Sequence, residues 1–263
     1  MAVSYVRVGC AMKMKSLFLA CLACSAMGLA SAAQAGNTAN VTYFEVTDAG
    51  AGPDFNTCCS SPPATLPDIA LGSSLLDGLP VTGTPSGAPA VADQSAQHQI
   101  LWWTPGGTPT VTETAPGIIN LPFSGNMFAP SSTGSNDGTY FETAIVSGDL
   151  VGTGADVTLT VSSDDDALVY LNGKYAGGNP GVHGIESSVI NFGDLSGNNT
   201  LQVFYADRAQ DGAYLGLTNL NGATLSATPE PAEWALMLLG VGGIGAALRM
   251  SRRKLETTTL AAA

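Results

Sequence analysis

Between residues 36 and 227, hydrophobic and polar residues alternate in short runs, which predicts β-strands. The clearest runs are at 41–46, 156–161, 167–171 and 201–205. Alternation with a period of two places one face of each strand in a core. Turn-forming residues separate the runs, and no segment shows a convincing helical repeat. The pattern therefore predicts an all-β fold, a single β-sandwich of about 190 residues.

The strongest turn signal in this region is Asn172-Gly173. It follows the apolar run 167–171 and precedes Lys174-Tyr175, as a two-residue type I′ hairpin requires. Residues 60–95 contain many Pro, Gly and Ala residues. They predict a long loop region at the edge of the domain.

The N-terminal apolar run has a different meaning. Lys13 and Lys15 precede an apolar run at 17–30, and Ala33-Gln34-Ala35 gives the small residues of a cleavage site. This order predicts a secretory signal peptide over residues 1–35, and so an exported protein.

The C-terminal segment has three parts in a fixed order. Pro229-Glu230-Pro231 comes first, then an uncharged apolar run at 235–248, and then Arg249, Arg252, Arg253 and Lys254. The prolines disfavour a regular helix, and the basic cluster favours the cytoplasmic side of a membrane. The apolar run is shorter than the 17–25 residues of a typical span. A plain membrane anchor and an anchor that is later cleaved both fit this pattern.

Residues 228–254 resemble the PEP-CTERM sorting signal, with Pro229, Glu230, Pro231, Arg252 and Arg253 as its matching residues. The resemblance implies an exosortase-type enzyme as a processing partner, transient residence in the inner membrane, and a Gram-negative bacterium that makes exopolysaccharide. Residues 255–263 form a short tail beyond the basic cluster, which departs from the usual pattern.

The charge of the central region excludes one class of partner. Residues 36–227 contain eighteen carboxylates against Lys174 and Arg208 alone, a net charge of −16. Such a surface repels nucleic acid and anionic lipid, and it attracts divalent cations.

Cys58 and Cys59 are the only cysteines left after the leader. Two adjacent cysteines do not provide a disulfide framework for the fold.

The centre of the chain resembles the fibro-slime domain and the related protective-antigen-type β-sandwich. The matching residues are Ser-Asp-Asp-Asp-Ala-Leu-Val-Tyr-Leu-Asn-Gly at 163–173, Gly-Val-His at 181–183 and Val-Phe-Tyr-Ala-Asp-Arg at 203–208. Weaker matches extend the resemblance over roughly 41–220. It implies a β-sandwich ectodomain over residues 36–227.

The acidic turn is the candidate metal site. In lectin members of the related sandwich, two adjacent aspartates and a nearby Asn hold Ca²⁺, and the ion binds sugar hydroxyls. The resemblance therefore implies Asp164, Asp165 and Asn172 as ligands, with Ca²⁺ as the cofactor. Oxygen ligands and flexible geometry suit that ion. The alternative is a solvated run of aspartates that caps the hairpin through hydrogen bonds to the backbone.

Arg208 and the adjacent pair Trp102 and Trp103 are further candidates for a structural or binding role. Arg208 is expected to brace the acidic turn by pairing with Asp165 or Asp166, because a guanidinium binds carboxylates in a bidentate manner. Trp102 and Trp103 are candidates for stacking on sugar, although core packing is the commoner fate of such a pair.

The sequence contains no nucleophile elbow, zinc-protease motif or phosphate loop, so we do not expect an enzyme. The predicted function is an exported cell-surface or matrix protein. It would be a calcium-assisted carbohydrate-binding or adhesive module that contacts extracellular polysaccharide. The alternatives are a structural matrix protein without a defined ligand and a glycan hydrolase.

Overall fold

The structure is a computed structural model that describes residues 37–47, 54–55, 74–82, 93–107, 109–114, 116–128, 140–209 and 212–228. The predicted signal peptide, the residues from Pro229 to the end of the chain, and Cys58 and Cys59 lie outside the described residues. Within the described part of the chain, no helix is long and apolar enough to cross a membrane.

The described residues form an all-β fold, as predicted. The strands are β1 (Thr38–Thr47), β2 (Val111–Glu113), β3 (Gly117–Asn120), β4 (Phe123–Asn126), β5 (Tyr140–Asp164), β6 (Asp166–Leu171), β7 (Lys174–Asn179), β8 (Glu186–Ala206), β9 (Tyr214–Asn221) and β10 (Ala223–Ser226). The four alternating runs fall within β1, β5, β6 and β8. The structure differs from the sequence analysis in the length of β5 and β8, which are 25 and 21 residues long.

The length of β5 and β8 explains the sandwich. They pair antiparallel from Thr143–Ala206 to Ser163–Glu186, with register shifts near residues 153–155 and 157–158. The first half of β5 pairs on its other side with β1, and the second half pairs with β9. Because Val146 and Leu150 in the first half share one buried cluster with Leu159 and Val161 in the second, the long hairpin folds into two facing layers.

The first layer contains the first half of β5 and the second half of β8, and it is buried on both faces. Its central run is β1-β5-β8-β6-β7. Alternate residues, such as Val169 and Val203, face the second layer. The residues between them, such as Tyr170 and Phe204, pack under the segment that carries Trp102. The structure buries both Trp102 and Trp103, so neither ring is available to stack on sugar.

The hairpin between β6 and β7 has the predicted turn. Asn172 and Gly173 have φ values of 51° and 74°, and Leu171 pairs with Lys174. Positive φ at both central residues is the requirement of a type I′ turn, which confirms that prediction. Because β6 begins beside the acidic turn and ends at Leu171, the tip of the hairpin lies away from the acidic turn.

Candidate functional site

Three strand ends meet at the acidic turn. β5 ends at Asp164, β6 begins at Asp166, and Ala206 at the end of β8 pairs with both Asp166 and Thr143. The peptide bond between Asp164 and Asp165 is cis. This meeting point, together with the buried carboxylates around Arg208 that are described below, is called the acidic end.

Asp165 is held by the backbone. Its Oδ1 accepts a hydrogen bond from the amide of His183 at 2.8 Å, and its Oδ2 accepts one from the amide of Arg208 at 2.8 Å. Burial raises the pKa of Asp165 to about 6, and the neighbouring carboxylate of Asp166 adds to this, while the two amide hydrogen bonds oppose it. The carboxylate is therefore positioned firmly in a place where its negative charge is costly.

Asp166 forms the ion pair of this end. Its Oδ2 accepts a hydrogen bond from Nε of Arg208 at 2.6 Å, and its Oδ1 accepts one from the amide of Gly181. Both side chains are fully buried. Asp166 and Asp165 thus tie the end of β8 and the Gly-Val-His turn to the start of β6.

Arg208 extends the network to a distant part of the chain. Its Nη1 donates to the carbonyl oxygen of Asp54 at 3.3 Å, and its guanidinium carbon lies 4.9 Å from the centroid of the Trp102 ring. The Asp54 carboxylate accepts hydrogen bonds from Nε1 of Trp102 and from the amide of Asp93. Burial, followed by the charge of Asp54, raises the pKa of Asp93 to about 6.

Two further carboxylates are buried beside the turn. Glu142 and Asp207 are 1% and 0% exposed, and the amide of Asp207 donates to the carbonyl oxygen of Glu142. The hydroxyl of Tyr205 donates to the carbonyl oxygen of Asp164 at 2.6 Å. Burial raises the pKa of Tyr205 well above its usual value, and nearby carboxylates, Asp207 first, add to this. The tyrosine therefore remains a neutral donor.

The charges at this end do not balance within the described residues. This end contains one buried guanidinium and six carboxylates that are at most 5% exposed; they belong to Asp54, Asp93, Glu142, Asp165, Asp166 and Asp207. His183 lies at the rim. Burial acts to lower the pKa of His183, but bonds to the carbonyls of Gly184 and Asn179 and the charge of Glu186 raise it overall. The end as a whole attracts cations.

Asp164 is the accessible member of the acidic turn. It is only partly buried, and it lies opposite Tyr214 across the β5–β9 pair. The backbone of Gly212 approaches it closely, because a Cβ added there would stand 3.0 Å from Oδ2 of Asp164. The residue at 212 has to be small for the loop to lie against this carboxylate.

Asn172 is not part of this site, which corrects the expectation from the sequence. It lies at the far end of β6, and the six residues of that strand separate it from the aspartates by about 20 Å. Its side chain serves the hairpin, since Oδ1 accepts from the amide of Thr200 and Nδ2 donates to Oδ1 of Asn199.

The fit of this end to Ca²⁺ rests on Asp164 and Asp165. Among the described residues, no group of three or more His, Cys, Asp or Glu side chains is arranged to hold a metal ion. Each Asp165 oxygen uses one lone pair on a backbone amide and keeps another. Because Ca²⁺ takes six to eight oxygens, the remaining ligands would come from backbone carbonyls, water or a bound sugar.

Four of the buried carboxylates had no role predicted from the sequence; they belong to Asp54, Asp93, Glu142 and Asp207. Asp207 lies in the matched run 203–208, whereas Asp93 and Glu142 show no distinctive local pattern. Asp54 is 154 positions from Arg208 along the chain. The one signal in the sequence was the scarcity of basic residues, which implies that a buried Arg must serve several acidic groups.

No family model and no curated protein matches this chain. Solved structures similar to it include the PA14 sugar-binding domain of an RTX adhesin, with 21% identity over 33% of this chain and 50% of that one (TM-score 0.26). A family 35 carbohydrate-binding module from an environmental isolate has 16% identity over 41% and 91% (TM-score 0.26). A β-glucosidase from Kluyveromyces marxianus in complex with glucose has 14% identity over 67% and 19% (TM-score 0.31). The chain thus spans half the length of the adhesin domain.

Proposed function

We propose that this protein is an exported carbohydrate-binding or adhesive module of the cell surface or extracellular matrix, assisted by Ca²⁺ at Asp164 and Asp165. The observation that carries the proposal is the charge imbalance of the acidic end. Among the described residues, this end holds six buried carboxylates and one buried guanidinium, and the partly exposed Asp164 lies beside them. A cation at that point relieves the repulsion.

Asp164 and Asp165 would hold the ion, and the surrounding residues would position them. When bound, Ca²⁺ supplies a hard centre that accepts hydroxyl oxygens of a sugar. The amides of His183 and Arg208 fix the orientation of Asp165. The pairing of Arg208 with Asp166 holds the turn in place, and the bond from Tyr205 to the Asp164 carbonyl fixes the backbone between the two ligands.

Export and sorting belong to the same proposal. The predicted leader and the PEP-CTERM-like segment support delivery to the envelope of a Gram-negative bacterium, with cleavage by an exosortase-type enzyme. We expect the mature protein to lack the residues beyond about Pro229–Pro231. Intact-mass measurement of the protein from its native host tests this. A mature mass that includes Arg252 and Arg253 would leave a plain membrane anchor.

The function is tested by retention of the full chain on immobilised exopolysaccharide. We expect retention in millimolar Ca²⁺, release by EGTA, and loss in the double variant Asp164→Asn, Asp165→Asn. A matched control is Asp156→Asn with Asp194→Asn. These two exposed aspartates face each other near the middle of the β5–β8 pair, away from both Asp164 and Asp165, so the control makes the same change in charge at another place.

The other outcomes distinguish the alternative functions. A folded protein that self-associates but is retained by no polysaccharide would favour a matrix protein without a defined ligand. Turnover of a glycan that disappears when two specific carboxylates are replaced would favour a hydrolase. We propose no catalytic step, because Asp164 and Asp165 serve here as ligands.

A further inference from the structure

A cleft of about 320 Å³ lies far from the acidic end, beside the tip of the β6–β7 hairpin. The lining residues come from the hairpin and from the first half of β8; they are Leu171, Asn172, Lys174, Tyr175, Ala176, Asn191 and Phe192. The volume is at the small end of the range of about 300–1,000 Å³ for small-molecule sites.

The cleft lies beside an irregular stretch of the β6–β7 pair. A register shift in the β6–β7 pair leaves Ala176 without a partner, and Gly177 and Gly178 follow with φ values of 142° and 147°. A Cβ at Gly177 would stand 2.8 Å from Cδ1 of Ile190, and one at Gly178 would stand 1.9 Å from the carbonyl oxygen of Ala167. Gly177 therefore lets the β7 backbone lie close to β8, and Gly178 lets it lie close to β6.

Two aromatic rings in the cleft are anchored. Tyr175 packs edge-on against the buried Tyr170, with ring centroids 5.5 Å apart. Phe192 packs against the core between the layers. Both rings remain partly exposed. Rings that are held in place at a surface offer an apolar platform at little cost in conformational entropy.

Two amides add polar groups with fixed positions. The Asn172 side chain is held by the amide of Thr200 and by the side chain of Asn199. The Asn191 Oδ1 accepts from the amide of Gly193 at 2.7 Å, which leaves its Nδ2 able to donate. Amides beside an apolar platform suit a ligand that carries both hydroxyl groups and an apolar ring face.

The charge of the cleft is opposite to that of the domain. Residues 36–227 contain eighteen carboxylates and two basic residues. Arg208 is fully buried in its ion pair, so Lys174 is the one exposed basic residue of this region. None of the seven lining residues is acidic. The lining of the cleft therefore carries one positive charge and no negative charge, in a domain that is strongly negative.

We infer that this cleft binds a carboxylated sugar residue, such as a uronic acid of an acidic polysaccharide. The Lys174 ammonium would bind the carboxylate through a charge-assisted hydrogen bond, while the rings of Tyr175 and Phe192 would contact the sugar face. At physiological salt, charges beyond about 8 Å are screened, so the distant carboxylates of the domain oppose such a ligand only weakly.

The choice of a sugar rests on the proposed function, whereas the recognition of an anion rests on Lys174 alone. The site requires neither Asp164 nor Asp165, and it requires no metal ion. It therefore adds a second contact point to the proposed polysaccharide interaction. Two weak sites on one chain of sugar raise the overall affinity through effective concentration.

The test is an NMR titration of the ¹⁵N-labelled full chain in EGTA with sodium glucuronate, glucose or acetate. We expect saturable shifts at Lys174, Tyr175 and Asn191, with glucuronate bound about fivefold more tightly than glucose or acetate. Lys174→Gln should bring glucuronate down to the level of glucose. Lys174→Arg should keep most of the preference, because it keeps the charge.

Two controls separate this site from the calcium site. The double variant Asp164→Asn, Asp165→Asn should bind glucuronate in EGTA as well as the wild type does, even if it no longer binds Ca²⁺. A glucuronate response that needs Ca²⁺, or that survives Lys174→Gln unchanged, would overturn the inference. So would equal binding of glucuronate and glucose, or no saturable shift with glucuronate.

Discussion

The two basic residues of the domain stand at opposite ends of β6 and have opposite environments. Arg208 is fully buried at the acidic end, where it bonds to Asp166 and lies over Trp102. Lys174 is exposed at the hairpin tip, beside a cleft without acidic residues. The same formal charge therefore contributes to the fold at one end and to the surface at the other. The contrast teaches that burial, rather than charge, decides which of the two is structural.

The largest expected effect comes from breaking the buried ion pair. Arg208→Leu leaves Asp166 buried without its cation, so we expect the free energy of unfolding to fall by about 3–5 kcal/mol. Lys174→Leu is the matched control, and it should leave the free energy of unfolding unchanged. Urea unfolding of both variants measures the difference. Equal effects of the two substitutions would remove the contrast between the ends.

The second effect concerns Gly178, where the backbone of β7 lies close to β6. Gly178→Ala combines a φ of +147° with a Cβ only 1.9 Å from the Ala167 carbonyl oxygen. We expect a loss of about 2–4 kcal/mol, because the strand has to move. Thermal unfolding should show lower stability, and a glucuronate titration should show weaker binding of glucuronate in the cleft. A variant as stable as the wild type would mean that β7 has room that the structure does not show.

A smaller effect is expected from the buried carboxyl pair behind Arg208. The pKa of Asp93 is raised to about 6, so its contribution to stability is greatest below pH 4 and is lost as the pH rises through 6. Asp93→Asn should therefore stabilise the protein by about 1–2 kcal/mol at pH 8 and by little at pH 4. Denaturant unfolding at both pH values measures this. A gain that is the same at both pH values would contradict the assignment.

The smallest effect belongs to the hairpin tip. Gly173 has a φ of +74°, and a Cβ there would meet nothing within 4 Å. Gly173→Ala should therefore cost only the backbone penalty, about 1 kcal/mol, and less than Gly178→Ala. Thermal unfolding of the two variants side by side checks the order. A larger loss for Gly173→Ala than for Gly178→Ala would contradict the close contact of Gly178 with β6 as the cause of the effect.

The sequence predicted the local features of both ends but not how distant segments meet. Alternation identified the strands, and Asn172-Gly173 identified the hairpin, because both signals depend on neighbouring residues. The acidic run and Arg208 were expected to lie together, and the structure places Arg208 against Asp166. Asn172 was grouped with the aspartates, yet a strand directs the two ends of its sequence apart. The partners Asp54 and Trp102 could not be found, since their contact with Arg208 depends on the packing of a remote segment.

The most direct test of the account is calorimetric titration of the full chain with Ca²⁺. We expect a saturable heat of Ca²⁺ binding for the wild type and for the control Asp156→Asn, Asp194→Asn. We expect no such heat for Asp164→Asn, Asp165→Asn. A hundredfold excess of Ca²⁺ over Kd should also stabilise the wild type by about 2.7 kcal/mol. NaCl of equal ionic strength should not reproduce that gain. The absence of a saturable heat of binding for the wild type, or equal heats for both double variants, would contradict a calcium site at the acidic end.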